Sequence, residues 1–240
     1  GNHATIGKNV TVKDGIASLP GGAANDSSFI ELPGKIFENQ NHLTITMWLR
    51  DNDPQTSWLA AFFFGSKNNS NDKPTNYYYF NPCEKDKNTL KLVMTDSVDE
   101  SNPGGTEKGF RNSIRTDSYQ GIWTHYAIVI DDYTMTCYID GVSVGTQTVS
   151  RKVSDFGTNL DAYIGKSNYP DPLYQGDFMY FRVYKNALTD TQVKYLVGEQ
   201  EDKAQYSMTI DGNNVTKKLS DSLYGLFYED INSAADGGLY

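Results

Sequence analysis

The chain is poor in residues that carry most enzyme chemistry. Among its 240 residues are two cysteines and three histidines. Cys83 and Cys137 allow at most one disulfide, and they are read as two unpaired thiols, Cys137 on a core-facing strand position and Cys83 in a Pro-containing loop. His3, His42 and His125 are scattered, and there is no Cys-x-x-Cys or His-x-x-His spacing, so no zinc site of the usual kind can be read. No glycine-rich phosphate loop and no Ser/His/Asp order stands out. No run of Lys or Arg occurs and the net charge is −9, which argues against a nucleic-acid backbone or an anionic membrane surface. No stretch approaches 18 apolar residues, so no helix is expected to span a bilayer. The sequons at Asn25, Asn68 and Asn214 are short patterns in an Asn-rich chain and carry no weight.

What is present is aromatic and β-patterned. Seventeen tyrosines and 38% hydrophobic residues suit strands, and they also suit contacts with flat polar ligands. The clearest pattern lies in residues 121–147. Tyr126, Ile128 and Ile130 share one face and His125, Ala127 and Val129 the other. Met135, Cys137 and Ile139 then alternate with Thr134, Thr136 and Tyr138. Asp131–Tyr133 is of hairpin length, and Asp140-Gly141 supplies the positive φ angles of a tight turn. The expectation is a three-stranded antiparallel meander.

Elsewhere, short strand-like pieces occupy residues 4–6, 10–12 and 16–19, followed by strands over 29–32, 43–49, 59–64, 77–80 and 90–94. Residues 65–76 and 96–109 read as long loops, the second bending at Pro103-Gly104-Gly105; loops of that length are usually functional or mobile. Strands at 160–164 and 176–184 close the series. Thr189 and Gln192 then form a capping box for a short helix with Val193, Leu196 and Val197 on its apolar face, stopped by Gly198. Residues 199–204 read as a linker, and a new β pattern opens at Tyr206.

Four stretches together resemble the laminin-G-like, concanavalin-A-like jelly rolls: Ser28–Pro33, Leu43–Leu49 with its Met47-Trp48, the Trp123-Thr124-His125-Tyr126 meander ending in Tyr138-Ile139-Asp140-Gly141, and Gly176–Leu188. The resemblance implies an all-β sandwich over residues 1–200 with one short C-terminal helix, and residues 201–240 as a linker and the start of a second region. The Gly1-Asn2-His3-Ala4-Thr5 opening resembles the interior of a family motif, so the chain is expected to be a mature fragment or an excised piece. A second resemblance sits in the tail. Leu223-Tyr224-Gly225-Leu226-Phe227-Tyr228-Glu229-Asp230-Ile231 resembles the first barrel strand of glycoside hydrolase family 51 α-L-arabinofuranosidases. In such an enzyme Glu229 would hold the sugar at the end of that strand. The carboxylate pair a retaining glycosidase needs would come from later strands that this chain lacks, so the chain as given is expected to be inactive.

The laminin-G-like resemblance also makes calcium possible. Asp26, Asp51, Asp53 and Asp171 are loop acids with the oxygen ligands that ion prefers, although Met179 and Tyr180 stand where the family usually carries acids. Trp48 and Trp123 are read as packing residues; deleting a fully buried tryptophan costs about 3–5 kcal/mol. Trp58 differs, because it ends a polar loop. Sugar recognition combines aromatic faces with polar groups for the hydroxyls, and the stretches 76–79, 111–115 and 168–174 offer that mixture. The candidate glycan site is therefore Trp58, Tyr78, Arg111, Asn168, Tyr169, Asp171 and Tyr174. The function expected is a non-catalytic carbohydrate-binding module of a secreted, bacterial-type arabinofuranosidase. Its partners would be arabinoxylan- or arabinan-type glycans and the remainder of the catalytic domain in cis. The alternative is a sandwich that packs on the catalytic barrel and shapes its cleft without binding free glycan.

Overall fold

The structure is a computed structural model that describes residues 3–52, 58–84, 89–111 and 120–198, all within one unit of the chain, Gly1–Asp202. In chain order the strands are β1 (Thr5–Ile6), β2 (Thr11–Lys13), β3 (Ile16–Gly22), β4 (Ile30–Leu32), β5 (His42–Asp51), β6 (Phe62–Gly65) and β7 (Tyr77–Glu84). They continue as β8 (Thr89–Thr95), β9 (Glu107–Phe110), β10 (Trp123–Asp131), β11 (Thr134–Ile139), β12 (Val142–Thr148), β13 (Asp161–Ile164) and β14 (Leu173–Tyr184), and one helix, α1 (Asp190–Gly198), follows. Among these strands two seven-stranded sheets form, ordered β1-β4-β13-β6-β7-β8-β9 and β12-β11-β10-β5-β14-β3-β2, and the pairings are antiparallel. The all-β sandwich and its short helix are as expected.

The meander forms as the sequence indicates. Ile128 faces Cys137 in the β10–β11 ladder and Ile45 in the β10–β5 ladder. The turns are made by residues at positive φ, Asp132 in one and Asp140-Gly141 in the other. Such angles favour Gly and Asp in tight hairpins. Strand alternation then sends alternate side chains inward. Leu43, Ile45, Met47 and Leu49 of β5 meet Phe62 and Phe64 of β6, Tyr78 and Phe80 of β7, and Leu90, Leu92 and Met94 of β8 in one continuous core. Phe80 and Tyr126 pack edge to face, 5.2 Å apart, joining the two sheets. Phe37, from the β4–β5 connection, stacks on Phe64 at 4.5 Å. Both cysteines are buried and neither is in a disulfide.

The helix is capped as its sequence requires: the Thr189 amide donates to Gln192 Oε1 (2.9 Å) and the Gln192 amide reaches back to Thr189 Oγ1 (3.4 Å). It lays Val193 on Ala127, Val129 and Tyr138, the outward face of the second sheet, and Asp190 accepts a hydrogen bond from Tyr138 (2.6 Å). Among the described residues no helix is long and apolar enough to cross a membrane.

Four expectations need correction. The stretch 96–109 is not all loop, because β9 occupies Glu107–Phe110; Glu-Lys-Gly-Phe lacks an apolar alternation, and pairing with β8 imposes the strand. Cys83 is not in a loop but inside β7, where the ladder shifts between Asn81 and Glu84 and Asn81 Oδ1 accepts from the Cys83 amide (2.9 Å). Leu59–Ala61 are buried but precede β6 rather than belonging to it. Trp48 and Trp123 pack, but at the outward face of the second sheet and only half-buried. Trp48 sits edge-on to His125 at 5.4 Å, and the Arg50 guanidinium lies 5.0 Å from the centre of the Trp123 ring.

Candidate functional site

The site lies on the outward face of the first sheet, and strand parity builds it. Where Tyr78 and Phe80 point into the core, Tyr77 and Tyr79 point out; where Leu90, Leu92 and Met94 point in, Lys91 and Val93 point out. Val93 pairs with Gly109 and Thr95 with Glu107, so Glu107 and Arg111 share that outward face. Phe63, Tyr77, Tyr79 and Val93 form a small second cluster there, with Tyr163 and Tyr169 packed against it.

At one end of this cluster is a pocket of about 270 Å³, lined by Trp58, Lys73, Tyr77, Tyr79, Lys91, Asn102–Gly104, Glu107, Arg111, Tyr169 and Asp171. That is near the small end of the range for ligand pockets. Trp58 forms one side and remains 43% exposed. The Lys91 ammonium lies 5.4 Å from the centre of the Trp58 ring and 4.7 Å from that of Tyr79, close enough for cation–π attraction to both. Tyr79 is itself fixed by donating to the Leu59 carbonyl (2.5 Å).

Glu107 organises the floor. Its side chain is 4% exposed and takes Lys91 Nζ at 3.1 Å, Arg111 on the same oxygen, and the Tyr77 hydroxyl on the other (2.7 Å). Tyr169 donates in turn to the Tyr77 hydroxyl at 3.4 Å. Burial, then the neighbouring Tyr169, pushes the Tyr77 phenol well above its ordinary range, so it serves as a neutral hydrogen-bonding group. Burial also raises the Asp171 carboxyl, with Lys91 opposing. The pocket thus offers aromatic faces beside charged donors and acceptors that are paired before any ligand arrives.

Four of the seven expected residues meet here: Trp58, Arg111, Tyr169 and Asp171. Three do not. Tyr78 is 2% exposed and faces the core, one strand step out of phase with Tyr77 and Tyr79. Tyr174 is not on a loop but in β14, fully buried, its ring edge-on to Phe178 at 6.0 Å. Asn168 is not among the residues lining the pocket; its amide nitrogen donates to the Ser66 carbonyl and to Asp161 Oδ2 of β13. Sequence reading missed Tyr77, Tyr79, Lys91 and Glu107. A lone lysine on the polar phase of Leu90-Lys91-Leu92-Val93-Met94 was the available signal for Lys91, and the same parity would have chosen Tyr77 and Tyr79 over Tyr78.

Among the described residues no three His, Cys, Asp or Glu side chains come together as metal ligands would. Of the acids considered for calcium, Asp26 accepts from the Ala23 amide (2.8 Å) as a turn cap, Asp51 is buried in β5, and Asp171 lines the pocket. Asp53 lies outside the described residues, as do Glu229, the expected boundary near residue 200 and the strands expected beyond it. His125 is buried, and burial with Arg182 nearby depresses its pKa to about 4.

Known proteins share the fold and one short stretch of this chain. A 40-residue stretch, 17% of the chain, is 52% identical to an extracellular exo-α-L-arabinofuranosidase of Streptomyces chartreusis and spans 5% of that enzyme. In three dimensions the chain is similar to domain 4 of AbnA, a GH43 extracellular arabinanase from Geobacillus stearothermophilus solved in complex with arabinotriose. The TM-score is 0.62 and the identity 23%, covering 82% of this chain and 87% of that one. It is also similar to the binding domain of Paraclostridial Mosquitocidal Protein 1 (TM-score 0.58, identity 19%, covering 83% of this chain and 48% of that one). Residues 24–194 match the concanavalin A-like lectin/glucanases superfamily, and the chain belongs to that superfamily.

Proposed function

We propose that residues 1–200 are a non-catalytic carbohydrate-binding module that holds arabinose-containing glycan, of the arabinan or arabinoxylan type, in the pocket beside Trp58. The observation that carries this reading is the convergence of an exposed tryptophan with Lys91, Arg111, Glu107 and Asp171 around one small cavity. A stacking face for the sugar's C–H surface and fixed polar groups for its hydroxyls are what glycan recognition requires. The arabinotriose complex of the similar arabinanase domain and the arabinofuranosidase identity support arabinose as the sugar. The module would serve a secreted arabinofuranosidase in cis, raising local substrate concentration by tethering without touching the chemistry. Glu107 accepts from three donors and serves as an anchor rather than a nucleophile, which favours binding over hydrolysis.

Affinity electrophoresis tests this reading. Retardation in gels containing arabinan or arabinoxylan, and not in galactan, is the expected result. Unretarded migration in all three would favour a sandwich that only packs on a catalytic barrel.

A further inference from the structure

The outward face of the first sheet carries a line of aromatics that would make a platform for a long chain if it were open. Tyr163 and Phe63 stack at 6.4 Å, Phe63 and Tyr77 at 5.8 Å, and Tyr77 meets Tyr169 edge-on at 5.7 Å. It is not open: Phe63 and Tyr77 are both fully buried. Three loops close over this face and are tied to one another. Asn69 and Asn71 donate to the Glu100 carbonyl, Lys73 to the Ser101 carbonyl (2.7 Å), and Asn68 to the Asn168 carbonyl (2.8 Å). The pocket therefore ends against a hydrogen-bonded wall that includes Lys73, Asn102 and Tyr169. On the other side Trp58 keeps its exposed ring and the Arg111 side chain is 42% exposed.

Size agrees with this shape. At about 270 Å³ the pocket falls just below the ordinary range for drug-sized ligands, a size for one or two sugar rings rather than a long chain. An internal segment would need an exit through the wall.

Resting on the carbohydrate-binding reading above, we propose that the pocket takes the terminal sugar of an arabinose-bearing branch or chain end, one or two rings deep, and not an internal run of polysaccharide. A module of this kind directs its enzyme to branch ends, where an enzyme releasing single arabinose units works.

Calorimetric titration of the 240-residue chain with arabinose, arabinobiose, arabinotriose and arabinohexaose tests this. The affinity should reach its plateau by the disaccharide, changing less than threefold from there to the hexaose. Branched arabinan should bind with a capacity that follows its branch ends and falls at least tenfold once those branches are removed. A tenfold or greater gain between arabinobiose and arabinohexaose, or undiminished capacity on debranched arabinan, would overturn the terminal-sugar proposal while leaving glycan binding intact. No binding to any of these ligands would overturn both.

Discussion

Replacing Glu107 with Gln keeps the shape of the pocket floor and removes its central charge. The amide oxygen can still accept from Tyr77, whose hydroxyl lies 2.7 Å from the carboxylate. The amide nitrogen then faces Lys91 and Arg111, two donors, where a carboxylate oxygen stood. Arg111, partly exposed, can turn to water, so its pair contributes at most about 1 kcal/mol. Lys91 is different, with a side chain 10% exposed and held between two rings. Removing one partner of a buried charge pair costs about 3–5 kcal/mol, reduced here by the cation–π attraction, about 0.5–2 kcal/mol, and by Asp171, whose charge also acts on Lys91. The expected loss is about 3 kcal/mol, or roughly 6–12 °C in Tm for a domain of this size. Urea titration at pH 7 measures it. The double variant Glu107→Gln, Lys91→Met should recover at least half, since a buried pair replaced by apolar groups is often near neutral. A Glu107→Gln variant within about 0.5 kcal/mol of the parent, or a double variant no better than the single, would show that this carboxylate does not organise the pocket.

Other predictions separate the two faces of the first sheet and the two kinds of buried group. Tyr78→Ala should destabilise the sandwich by about 3–5 kcal/mol, as for a buried aromatic, with glycan affinity unchanged in the folded fraction, whereas Tyr79→Ala should weaken binding; the reverse result would invert the assigned parity. Trp123→Ala should cost only about 1–2 kcal/mol by thermal melting, below the range for a fully buried tryptophan, because its ring is half-buried beneath Arg50. His125 gives stability a pH dependence: the unfolded chain takes up a proton near pH 6.5 that the native state refuses until about pH 4. Its share of stability is complete above pH 6.5 and lost as pH falls through that window, on the order of 3 kcal/mol in all. His125→Phe should flatten that part of the stability–pH curve, and an unchanged curve would place the titration elsewhere.

The fold was legible where strands alternate, as in β5, β10 and β11, and where Asp140-Gly141 makes a turn at positive φ. The meander around Ile128 and the Thr189–Gln192 cap read directly from sequence. The site was legible in part. Trp58, Arg111, Tyr169 and Asp171 stand in polar stretches where a binding role is the natural reading. Tyr78 and Tyr174 were mistaken because composition names a stretch while parity names a residue: in Tyr77-Tyr78-Tyr79 three identical side chains alternate between pocket and core. Glu107 was hidden because Glu-Lys-Gly-Phe has no strand pattern of its own, and only its ladder with β8 turns the carboxylate toward Lys91. Asn168 stands in a polar stretch but outside the pocket lining, its amide nitrogen taken up by partners 102 and 7 residues away in the chain.

An NMR titration of the chain with arabinotriose, following the three tryptophan indole N–H signals, shows where glycan binds. The Trp58 indole should shift saturably with those of Trp48 and Trp123 unmoved, and Trp58→Ala should bind at least tenfold more weakly, as when an aromatic hot spot is truncated. Saturable shifts at Trp48 or Trp123 with Trp58 silent, or Trp58→Ala binding as tightly as the parent, would contradict a site beside Trp58.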